Sequence, residues 1–173
     1  MRQRLAKCGF LLALLTVIGI APGLAQVETV TVAVDGMACP FCAFGIEKRL
    51  KKVGGVGSIE VDVAAGTASM VAAEGGSIAF VEIPEAIRKA GFTAGAIHLT
   101  VVGLLGELDD GQPLLTVDPS DHEILLVNLA DEIEARIAEA AATGLEVRLS
   151  GLLHLHADGP PALEADAVEF LER

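Results

Sequence analysis

The stretch Val30-Thr31-Val32-Ala33-Val34-Asp35-Gly36-Met37-Ala38-Cys39-Pro40-Phe41-Cys42 decides how this chain is read. Val30, Val32 and Val34 alternate with smaller residues, the period of a strand with one buried face. Gly36 breaks that period, and two cysteines follow with two residues between them. Beyond them Ile46, Leu50 and Val53 recur at helical spacing, while Glu47, Lys48, Arg49, Lys51 and Lys52 occupy the other face. Gly54-Gly55 stops that helix. The cysteine pair therefore sits where a strand hands over to a helix.

Further along, Ile59, Val61 and Val63 alternate as a second strand. After the turn Ala65-Gly66, residues Ala68, Met70 and Ala72 form the buried face of a third. A helix is predicted over 81–90, with Ile83, Ile87 and Ala90 on one face, Pro84 in its first turn and Gly91 as its cap. Residues 92–99 supply a last strand. The order βαββαβ is the ferredoxin-like arrangement, expected over residues 26–97.

A second unit is expected over residues 98–173. Strands are read at 99–105, 113–117 and 123–127, with turns at Asp109-Asp110-Gly111 and Asp118-Pro119-Ser120-Asp121. A helix capped by Asn128 or Asp131 runs to Ala142, with Ile133 and Ile137 inward. Two more strands follow at 145–154 and 162–170. The order βββαββ resembles a small Greek-key β-barrel of the oligonucleotide/oligosaccharide-binding (OB-like) type. The expected fold class is α+β, and one strand could serve both units, because no Pro- or Ser-rich linker separates them.

The first 25 residues read as a secretory signal peptide. Arg2, Arg4 and Lys7 precede an apolar run over 10–20, and Gly23-Leu24-Ala25 supplies the small residues of a cleavage site before Gln26. The run is about half the roughly 20 residues a membrane span needs. An uncleaved anchor is the alternative. A periplasmic or secreted location follows, with no stable membrane insertion after cleavage. Cys8 leaves with the signal, and an oxidising compartment tends to join the two cysteines that remain.

Charge is unevenly spread. Residues 26–97 carry 6 basic and 8 acidic side chains, whereas 98–173 carry 3 and 16. The second half is a polyanion of net −13, which argues against nucleic acid and anionic lipid as its partners. With Phe170 as its one aromatic, that half also lacks the stacking platform of a nucleic-acid-binding barrel.

Two residues between Cys39 and Cys42 let both sulfurs grip one ion. Cys42 is expected in the first helical turn, where free N–H groups and the positive dipole end lower a thiol pKa. Pro40 suits an early helical position because it needs no N–H partner. A thiolate pair is soft, so it favours Hg(II) or Cu(I). Zn(II) is less well served, since structural zinc takes four ligands.

Gly36-Met37-Ala38-Cys39-x-x-Cys42 after a valine-rich strand, followed by a basic amphipathic helix and Gly54-Gly55-Val56, resembles the heavy-metal-associated (HMA) domain. Lys89-Ala90-Gly91-Phe92 matches the second-helix ending of that family. The resemblance covers under half of the mature chain. It implies that Cys39 and Cys42 are metal ligands, that Met37 packs beneath the loop, and that Phe92 lies near the site. It also implies a non-enzymatic carrier or scavenger working by ligand exchange. Its partners would be a metal transporter or another thiol-bearing donor or acceptor. The departure is Pro40-Phe41, where the family more often has small polar residues.

Cys-Pro-Phe-Cys is also similar to the glutaredoxin motif, so a thiol–disulfide oxidoreductase is the rival reading. The element order argues against it, and Pro84 precedes a helix instead of a strand. His154 and His156 share a strand face and read as partly exposed residues beside acidic groups, with a second metal site as the alternative. His98 and His122 receive no role. Asp109, Asp110, Asp118 and Asp121 read as turn chemistry. The basic helix face is read as solvated or as meeting an acidic partner surface.

Overall fold

The computed structural model describes residues 26–117, 122–157 and 159–171. The expected signal peptide, Asp118 and Asp121 lie outside the described residues. Strand β1 (Gln26–Asp35) leads into helix α1 (Pro40–Leu50), strands β2 (Val56–Asp62) and β3 (Thr67–Ala72), and helix α2 (Ile83–Lys89). Strand β4 (Thr93–Glu107) follows, then β5 (Pro113–Val117), β6 (His122–Leu126), helix α3 (Asp131–Thr143), β7 (Glu146–His154) and β8 (Ala162–Phe170).

The first half is a β2-β3-β1-β4 antiparallel sheet, with Val30 paired to Met70 on one side and Leu99 on the other. Both helices cover one of its faces. Ile46 and Leu50 of α1 and Ile83 and Ile87 of α2 are buried there on Val30, Val32, Ala68 and Met70. Each such side chain contributes about 2 kcal/mol of burial. The helix expected over 81–90 begins with a 3-10 turn, Phe80–Glu82, and the α-helix itself starts at Ile83. Pro84 sits in its first turn, where its missing N–H costs nothing.

The two strands read over 92–99 and 99–105 are one strand of 15 residues. Positions 97 and 98 are consecutive within it, so β4 belongs to both halves. One of its edges carries β7 from Ile97 to Leu104. The other carries β1 as far as Val102 and then β5 from Leu104 onward. Gly103 stands at that change of partner. A Cβ there would come within 2.5 Å of the Thr116 carbonyl oxygen, so only glycine lets β5 approach.

From β4 the strands close on themselves: β4–β5, β5–β6, β6–β8, β8–β7 and β7–β4, with only β6–β8 parallel. The second half is thus a five-stranded barrel-like ring with the expected element order. Val101, Leu115, Ile124, Leu149 and Leu163 are buried in it. Neither expected cap of α3 holds. The N-cap is Ala130 without a side-chain hydrogen bond; Asp131 opens the helix, and Asn128 takes a left-handed φ of 52° before it. Asp131, Glu132 and Glu134 still face the positive end of the helix dipole.

One core runs through both halves. Phe80, fully buried, meets the His122 ring edge-on with centroids 5.5 Å apart. Arg148 on β7 binds Glu28 on β1 and Glu169 on β8. Among the described residues, no helix is long and apolar enough to cross a membrane.

Candidate metal centre

Cys39 is the N-cap of α1. Its backbone is extended, Pro40 opens the helix, and Cys42 lies in the first turn. The cap is a sulfur: Cys42 N–H donates to Cys39 Sγ at 3.2 Å, and the Cys39 carbonyl also accepts from Cys42 N–H at 3.0 Å. The free N–H groups expected to favour Cys42 therefore act first on Cys39. The two residues are joined as a disulfide with Cα atoms 5.3 Å apart. Both are partly exposed. The sulfurs already face one another, so reduction frees two soft donors aimed at one point.

The loop rests on its neighbours. Gly36 ends β1 with φ +86°, and Met37 beyond it is buried in the core. Phe92, half-buried, flanks the turn, since a Cβ on Gly36 would lie 3.9 Å from its Cδ1. Phe41, between the cysteines, is 90 % exposed, and Phe44 one turn on is 68 % exposed. Nothing in the sequence reading singled out Phe44. Its spacing from Ile46 and Leu50 put it on the outer face, and that was the available signal.

Among the described residues there is no group of three or more His, Cys, Asp or Glu able to hold an ion. His154 meets Glu164 at 3.4 Å at the end of β7, and His156 lies past the strand. A cleft of about 490 Å³ between α1 and α2 is lined by Arg49, Lys52, Val53, Val81, Glu82 and Glu85 among others, toward the far end of α1 from the cysteines. Glu85 there is held below the usual carboxylate range by its hydrogen bonds to Arg88, with lesser help from Lys89. β1 pairs antiparallel on both sides, unlike the parallel start of a thioredoxin-like fold.

The described geometry is thus a ferredoxin-like sheet with a cysteine pair at the mouth of its first helix. Residues 31–93 match the family model described as "Heavy-metal-associated domain", and this segment is a member of that family. It is 45% identical over 42 residues to the mercuric transport protein periplasmic component of Shigella flexneri. That match covers 24% of this chain and 46% of the relative, so the chain spans about half the length of the curated relative. Among solved structures, oxidized MerP from Ralstonia metallidurans CH34 is 26% identical (40% of this chain, 96% of that one, TM-score 0.36). A copper binding domain from HMA7, a P-type ATPase, is 31% identical (39% of this chain, 90% of that one, TM-score 0.35).

Proposed function

We propose that this protein is an exported carrier or scavenger of a soft metal ion, Hg(II) or Cu(I), held by Cys39 and Cys42. One observation carries the reading: two cysteines with Cα atoms 5.3 Å apart converge at the N-terminus of α1 within a heavy-metal-associated segment. Two thiolates complete a near-linear site for Hg(II) or Cu(I) and leave Zn(II) short of ligands. The ion is cargo. It arrives and leaves by ligand exchange, with thiolates of a transporter or another donor or acceptor displacing Cys39 and Cys42 one at a time. No catalytic step is required.

A periplasmic setting is supported by the signal-like residues 1–25 and by the Shigella relative's name. There the pair must be reduced before it can load. We read residues 26–97 as the metal-handling unit and 98–173 as an OB-like barrel, joined through β4. The ring closed by the parallel β6–β8 pairing supports that second assignment.

Titration of the reduced chain with Hg(II) or Cu(I) in competition with a chelator tests the reading. Cys39→Ser and Cys42→Ser should each abolish tight binding while far-UV circular dichroism stays unchanged. Unaltered affinity in either variant would end it.

A further inference from the structure

Phe41 and Phe44 are the two most exposed large apolar side chains among the described residues, and they stand three apart on the first turns of α1. Lys48 continues the same outward stripe, Phe41 to Lys48 spanning about 10 Å, while Arg49 and Lys52, the latter past the end of α1, border the cleft toward α2. Lys51 is engaged by Glu47, and Arg88 and Lys89 by Glu85. Among the described residues Lys48, Arg49 and Lys52 have no carboxylate partner. The inner face of α1 is already spent on the core through Ile46 and Leu50. The helix thus has a second, outward amphipathicity: two rings at the cysteine end, then Lys48, with Arg49 and Lys52 flanking it on the cleft side.

We propose that this outer face is a peripheral docking surface for an anionic lipid bilayer. Phe41 and Phe44 enter the headgroup boundary and Lys48, Arg49 and Lys52 meet lipid phosphates. The rings protrude from a helix end, a shape that a bilayer accepts without a matching pocket. The polyanionic second half does not prevent this. Thr93 pairs with Asp35 at the cysteine end, and β4 then runs about 45 Å to Glu107. The barrel's near end is closer: β7 joins β4 from Ile97, about 13 Å from Thr93, against a Debye length of roughly 8 Å in physiological salt. Repulsion from that near end is reduced by salt, and the far end at Glu107 lies well beyond screening range. Docking would set Cys39 and Cys42 at headgroup level, where thiols of a membrane-embedded acceptor could reach them. This deepens the carrier reading, yet lipid binding needs no metal, so the two can fail separately.

The test is co-sedimentation of the chain from Gln26 onward, which holds every described element, with two kinds of vesicle. One is phosphatidylcholine alone; the other contains phosphatidylglycerol as well. Binding is expected to the anionic vesicles and to weaken in high salt. Lys48→Gln/Arg49→Gln/Lys52→Gln should lose roughly fivefold per cation. Phe41→Ser/Phe44→Ser should lose about tenfold or more. Val71→Ser, an exposed valine on the opposite sheet face, should bind as the parent does. Failure of the parent to bind anionic vesicles overturns the proposal and leaves the stripe to a protein partner. Equal binding by the parent and the Phe variant overturns it too.

Discussion

The N–H of Cys42 donates to the sulfur of Cys39 at 3.2 Å, so one candidate ligand also caps the helix that carries the other. Serine caps helices well and alanine does not. In the reduced chain Cys39→Ser should leave stability nearly unchanged, whereas Cys39→Ala should cost about 1 kcal/mol. Urea midpoints of the two variants check this. Mass mapping after limited alkylation of the reduced parent should find Cys39 modified ahead of Cys42, since the helix-end N–H stabilises its thiolate.

Gly103 lets β4 exchange β1 for β5 on one edge. Gly103→Val drives a side chain onto the Thr116 carbonyl and should destabilise by at least about 2 kcal/mol. Gly106, three residues on, has its nearest neighbour, Leu114 Cδ1, at an ordinary 3.6 Å from a built Cβ. Gly106→Ala should be close to neutral. Denaturant unfolding of both variants gives the comparison.

Arg148 ties the first half to the barrel. Its side chain is 33 % exposed and bonds Glu28 at 2.8 Å and Glu169 at 2.7 Å. Arg148→Met should cost about 1 kcal/mol, the scale of a partly screened network. Hydrogen bonds to Glu28 first, then to Glu169, raise the guanidinium pKa. A raised pKa leaves this contribution intact below the ordinary arginine value and removes it only in stronger alkali. The loss on mutation should therefore be the same at about pH 7 and about pH 10. A difference that vanished by pH 10 would contradict the assignment.

Much of the fold was legible because its signals are local. The valine alternation in β1, Pro84 near the start of α2 and Gly91 past its end each act within one or two turns of chain. The limits of β4 were not local. Nothing between Phe92 and Leu105 shows that one strand has three partners, because those pairings reach Val27, Leu115 and Leu149. The α3 cap was not legible, because Asn128 and Asp131 are both good capping residues. The chain instead turns at Asn128, and the helix starts after Ala130. At the site, Cys-x-x-Cys was readable from its spacing, and the packing of Met37 from the resemblance to the heavy-metal-associated domain. Which sulfur receives the N–H was not, since it depends on where the helix begins.

The rival chemistry separates cleanly. A dithiol oxidoreductase would turn over a disulfide substrate such as insulin in the presence of a thiol reductant. The chain is expected to show no rate above that of the reductant alone.

The most direct measurement is native mass spectrometry of the reduced chain against Hg(II), Cu(I) and Zn(II), with free thiols counted on the same sample. The expected result is one Hg(II) or Cu(I) per molecule, two thiols at Cys39 and Cys42 lost on loading, little Zn(II) retention, and no loading of the disulfide form. Equal loading of the oxidised chain, or metal retained with both thiols still free, would contradict a thiolate-pair carrier.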